Sequence, residues 1–144
     1  MKRNIYNLNY VLLFATLLFG SSLSAQWNQL SNDIDGETPG DQSGRSTSLS
    51  SNGNIIAIGS IFNSDNGTNS GHVRVYENIG GSWTHIGQDI NGESAGDYSG
   101  VSVSISSDGT TVAIGASSND GNGDNSGHVR RSENIGGSWL QAGQ

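Results

Sequence analysis

Ten of the thirteen carboxylates in this 144-residue chain fall in four short stretches, and two of those stretches carry a spacing that could hold a cation. In DIDGETPGD the acids are Asp33, Asp35, Glu37 and Asp41; in DINGESAGD the matching positions are Asp89, Asn91, Glu93 and Asp97. Oxygens at i, i+2 and i+4 around a glycine resemble calcium loops, in which glycine permits the sharp turn. Neither stretch has the glutamate eleven residues on that completes an EF-hand, and Asx turns that merely order an exposed loop would leave the same pattern. A further cluster, Asp120, Asn122 and Asp124, has similar spacing. Its counterparts one repeat earlier are Ser64, Asn66 and Thr68, so an ion there would occupy one copy only. Calcium at these positions is the one cofactor the residues suggest.

Other chemistries have less support. NSGHVR occurs twice, at Asn69–Arg74 and Asn125–Arg130. A histidine metal site would need further histidines or carboxylates at neighbouring positions, and none is evident beside His72 or His128. Both read as strand residues facing an adjacent layer or solvent. Serine is abundant, yet no G-x-S-x-G elbow occurs. No cysteine is present, which excludes disulfides and thiolate metal sites. No catalytic constellation emerges, and the expectation is a protein that is not an enzyme. Asn66-Gly67-Thr68 matches a glycosylation sequon, a common chance occurrence.

Export is expected from the N-terminus. Lys2 and Arg3, the apolar run Val11–Gly20 and the small residues Ser21–Ala25 have the order of a cleavable signal peptide over residues 1–25. That apolar run is too short to span about 30 Å of hydrocarbon, so no membrane span is expected. Without the segment, 13 acids face 4 arginines and the net charge moves from −7 to −9. Nucleic acid and anionic lipid require basic patches and are excluded as partners.

The elements that would position these loops come from a repeat. Trp27, Trp83 and Trp139 are 56 residues apart, as are His72 and His128, and residues 27–82 align with 83–138 without a gap at 32 identical positions. Residues 139–144 begin a third unit. Periods of this length point to propeller blades or solenoid units. Within a unit, VSVSISS (Val101–Ser107) alternates as a half-buried strand does. Asp108-Gly109 then leads into TTVAIGA, a combination that predicts a hairpin with a type I′ turn; Asn52-Gly53 is the counterpart. HVRVYEN (His72–Asn78) and SWTHIG (Ser82–Gly87) supply the third and fourth strands, with Trp27–Leu30 as a lone fourth strand at the start. The expected fold is all-β, with antiparallel four-stranded blades of a β-propeller, about two of them present. One tryptophan per unit on the fourth strand suits packing between blades better than a sugar platform.

These residues resemble FG-GAP repeats, the units of integrin-α-type β-propellers. Ser99-Gly100-Val101-Ser102-Val103 is similar to the F-G-x-S-V start, with Ser43-Gly44-Arg45-Ser46-Thr47 as its twin. Val112–Ala116 and Ala57–Ser60 are similar to the V-G-A-P segment, and Gly71–Tyr76 to the G-x-V-Y-V-Y strand. The phenylalanine and the proline of those motifs are missing. The resemblance implies calcium in an acidic loop between the first two strands, but here that loop is reduced to Ser51-Asn52-Gly53 and Ser107-Asp108-Gly109, too small for 6–8 oxygen ligands.

Antiparallel order places the long connections (Ser31–Ser43, Ile61–Ser70, Gly87–Ser99 and Ser117–Ser126) at one end, giving an acidic loop face opposite a plain turn face. The expected function is a secreted, non-catalytic repeat segment that binds a protein or glycan through that face in adhesion. The alternatives are structural filler repeats of a larger surface protein, or the non-catalytic part of a secreted enzyme. Propellers need 4–8 blades to close, so further repeats or self-association is expected. Arg131-Ser132 where the first unit has Val75-Tyr76 favours a piece of a longer repeat protein.

Overall fold

The computed structural model describes residues 26–143; the signal peptide expected at 1–25 lies outside the described residues. The first sheet contains β1 (Ser43–Leu49), β2 (Ile55–Ser60), β3 (His72–Ile79) and β4 (Ser82–His85), with the short β5 (Ile90–Asn91) also on β3. The second contains β6 (Ser99–Ile105), β7 (Thr111–Ala116), β8 (His128–Ile135) and β9 (Ser138–Gln141), in the same order. Every pairing within these sheets is antiparallel, and each sheet is a blade of an incomplete β-propeller. No helix among the described residues is long and apolar enough to cross a membrane.

Alternation along the strands decides what lies between the blades. On β3, Val73 and Val75 point toward the second blade and are fully buried, with Ala57 beside them. The second blade answers with Val112, Ile114 and Trp139, and these six belong to one apolar cluster. The alternate serines of β1 have a similar inter-blade role. Ser46 Oγ donates to the Gly100 carbonyl (2.7 Å), and Ser48 Oγ accepts from the Ile105 amide (3.1 Å). Between β2 and β6 the backbones approach so closely that a Cβ on Gly59 would overlap the Gly100 carbonyl. The remaining face of the first blade is an open groove of about 740 Å³, whose walls include Leu30, Ile34, Thr47, Ile56, Ile58 and Trp83.

Three expectations are corrected. Trp27–Leu30 forms no strand: Trp27 is 97% exposed, and no β-partner lies beside it among the described residues. The Asn52-Gly53 and Asp108-Gly109 turns are not type I′, which needs positive φ at both central residues. Here only the glycines have it. Asn52 and Asp108 instead close their turns through the side chain, accepting from the Asn54 and Thr110 amides at 3.0 and 3.1 Å. The two-residue loops with positive φ throughout are Gly80-Gly81 (62° and 88°) and Gly136-Gly137 (63° and 88°), between the third and fourth strands of each blade. Lastly, the connection after β4 is not all loop. Ile90 is apolar and buried, so the chain returns to the sheet as β5, with Asn91 opposite His72.

Candidate functional site

The strand directions bring the start of β1, the end of β2, the start of β3 and the end of β5 to the same end of the first blade. The loops there are stapled to one another. Asp41 is buried and accepts from Thr38 Oγ1 (2.9 Å) and Asn63 Nδ2 (3.2 Å). Its counterpart Asp97, also buried, accepts from the Ser94 amide and from Asn119 Nδ2, both at 3.0 Å. Between the β2–β3 and β5–β6 connections, Asn66 Nδ2 donates to the Gly92 carbonyl (2.7 Å), which engages the amide of the sequon. The Ser99 amide donates to the Ser70 carbonyl (2.9 Å). The loop end is therefore a bonded surface carried on two sheets.

At its centre lies His72, the residue read from sequence as an ordinary strand position. It is 1% exposed, and its Nδ1 has no hydrogen-bond partner among the described residues. That nitrogen points toward Asp89 Oδ2 (3.7 Å) and Glu37 Oε2 (3.9 Å). Asp65, from the β2–β3 connection, completes a group of four whose donor atoms all lie within 4.8 Å of one another. The second oxygens of Glu37 and Asp89 are held elsewhere. Arg74 contacts Glu37 Oε1 (3.3 Å) through NH1 and Asp89 Oδ1 (3.2 Å) through Nε, and His85 Nε2 lies 3.2 Å from Asp89 Oδ1. Arg74 also stacks over the Tyr76 ring at 5.4 Å, and the Tyr76 and His85 rings are 5.2 Å apart. Burial lowers the pKa of His72 against the opposing pull of Asp89 and Glu37. Burial, aided by Arg74, does the same at His85. Both imidazoles are thus biased toward the neutral form, which keeps a lone pair available.

Glu37 and Asp89 are the two residues of the DIDGE and DINGE stretches that the fold brings together, and they come from different copies of the motif. Asp33 accepts from Gln29 (2.8 Å), Asp35 is exposed, and Asp41 is taken up by Thr38 of its own loop and Asn63 of the β2–β3 connection. Asn91 is in β5, with its carbonyl accepting from Arg130 NH2 (2.6 Å), and Glu93 pairs with Arg130 NH1 (3.5 Å). The loop of Asp120, Asn122 and Asp124 closes on itself: Asp120 accepts from the Asn125 amide (2.7 Å) and Asp124 from the Asn125 side chain (2.9 Å). Two members of the cluster, His72 and Asp65, were not among the residues singled out from spacing. The available signal was the His72 strand position beside Arg74, read together with the strand phase of Ile90; linear proximity could not find it.

The second blade repeats only part of this arrangement. His128 lies 3.8 Å from Glu93, but it is 26% exposed and the counterpart of Asp65 is Gly121. The β1–β2 and β6–β7 turns, where the resemblance implies calcium, do not fit the ion. Asn52 Oδ1 is occupied by Ser50 Oγ and the Asn54 amide, and Asp108 Oδ1 by Ser106 Oγ and both donors of Thr110.

Residues 91–129, from β5 into β8, match the family described as FG-GAP repeat. Among curated proteins none matches the chain.

Proposed function

We propose that this chain, which carries an FG-GAP repeat within β-propeller-type blades, is a secreted, non-catalytic binding segment that meets a protein or glycan through its acidic loop end. The observation that supports this reading is the stapled loop end itself. Exposed Asp33, Asp35, Asp120 and Asp124 are displayed there by loops whose internal carboxylates, Asp41 and Asp97, are consumed in holding them. Loops carried on a rigid scaffold are where binding residues concentrate. The opposite end offers only short turns. The open groove beside Trp83 and Ile58 suits a further blade or a second copy, which would also cover the apolar surface left by an unclosed ring.

The test is retention of extracellular glycans and cationic polypeptides on the immobilised mature chain. A triple variant, Asp33→Asn, Asp35→Asn and Asp124→Asn, weakens retention and its salt dependence, whereas Asp108→Asn at the turn end leaves both unchanged. Retention that ignores the loop-end substitutions overturns the proposal. Failure to retain any partner returns the segment to the role of structural filler repeats in a larger surface protein.

A further inference from the structure

We propose that the buried His72 pocket is a divalent transition-metal site, with His72 Nδ1 and one oxygen each of Glu37, Asp65 and Asp89 as donors. It stands beyond the binding reading above, since an ion can be held there whether or not the loop end meets a macromolecule.

The first ground is the unpartnered nitrogen. A buried polar atom without a hydrogen bond is costly, and this one faces two carboxylate oxygens too distant to satisfy it. An ion placed between them gives all three a partner. The second ground is the division of labour at each carboxylate. Glu37 Oε1 and Asp89 Oδ1 are taken by Arg74, while Oε2 and Oδ2 are the atoms that approach His72. Metal-bound carboxylates are commonly oriented in this manner by outer partners. Charge agrees: three carboxylates against one guanidinium leave two negative charges for a divalent cation to balance.

Geometry requires a modest contraction. Ligand distances of about 2.1 Å put tetrahedral donors roughly 3.4 Å apart, against separations within 4.8 Å here. Glu37 and Asp65 are exposed and can swing inward without disturbing the sheet. An imidazole nitrogen beside carboxylates suits zinc and its neighbours in the first transition row, whereas calcium takes oxygen ligands in larger number. The site belongs to one blade only, because Gly121 replaces Asp65 in the other.

The experiment is calorimetric titration of the chelator-stripped mature chain with ZnCl2, paralleled by the visible absorption of Co²⁺. About one ion is bound per chain, with affinity falling by at least about 10-fold, the lower range for loss of an outer-shell partner, in Asp65→Asn, an exposed position that spares the fold, and in His72→Asn. His128→Asn binds as the parent does, and CaCl2 binds more weakly than ZnCl2. The proposal is overturned by absence of zinc binding, by parental affinity in Asp65→Asn, by loss in His128→Asn, or by a preference for calcium. None of these substitutions belongs to the loop-end triple variant, so failure here leaves the retention experiment to stand or fall separately.

Discussion

Three tryptophans occupy the same position of the repeat, and their substitution by alanine separates local sequence from tertiary context. Trp139 is 4% exposed within the inter-blade cluster, and its Nε1 donates to the Ile86 carbonyl at 2.9 Å. Its backbone is held reciprocally by the Gln88 side chain, at 2.6 and 3.1 Å. Trp83 is half-buried on the groove, and Trp27 is 97% exposed. Trp139→Ala is expected to cost about 3–5 kcal/mol, the range for emptying a buried aromatic site. Trp139→Phe isolates the indole hydrogen bond, with about 1 kcal/mol for the lost bond and up to about 2 more if the Ile86 carbonyl stays dry. Trp83→Ala should fall well below the first figure, and Trp27→Ala within about 0.5 kcal/mol of zero, as for other surface substitutions. Urea unfolding followed by far-UV circular dichroism measures all four, since the probe does not depend on which indole remains. Equal midpoint shifts for Trp27→Ala and Trp139→Ala would refute the argument, because they would show that burial between the blades does not set the energy.

Other expectations follow from single contacts. Gly59→Ala drives a methyl into the Gly100 carbonyl and should destabilise by about 1–3 kcal/mol; Gly115→Ala meets only the movable Ser102 hydroxyl and should cost less in the same urea titration. Asp97→Ala leaves Asn119 Nδ2 buried without its acceptor, a loss of about 1–3 kcal/mol, and hydrogen exchange should rise in residues 94–98 and 117–127 ahead of the strands. The Asp108 carboxyl is held below its usual pKa, first by the Ser106 hydroxyl and then by the donors of Thr110. Its folded pKa lies below the unfolded one, so its stabilising effect is complete above the unfolded value, about 3.9, and fades as the pH falls through the folded value. Carbon-detected NMR titration should show the depressed midpoint, and Ser106→Ala should move it upward.

The β-repeat was legible because its signals are local. Strict alternation in Val101–Ser107, the paired glycines at Gly80-Gly81 and the recurrence of His-Val-Arg after a loop each report a neighbour within a few residues along the chain. The turn type at Asn52-Gly53 was misread for a reason equally local. The Asn52 side-chain Oδ1 accepts from the Asn54 amide and holds a turn in which only Gly53 takes positive φ. The acidic loop end followed from antiparallel order alone, since strand direction fixes which connections share an end.

What sequence alone determined is therefore the repeat, the strand direction and the end of the blades at which the carboxylates collect. Which of those carboxylates meet was decided only by tertiary structure. Glu37 and Asp89 are 52 positions apart and lie in different copies of the motif, yet they share the space in front of His72 because buried Ile90 draws the chain back onto β3. The two identical NSGHVR segments show the same limit from the other side. His72 is covered on its face by the loop of Glu37 and by β5 and is 1% exposed, whereas His128, with the same six residues around it, is 26% exposed. Burial is a property of what packs over a residue. The local pattern states which face of the strand a side chain takes, and the rest of the fold decides what that face meets.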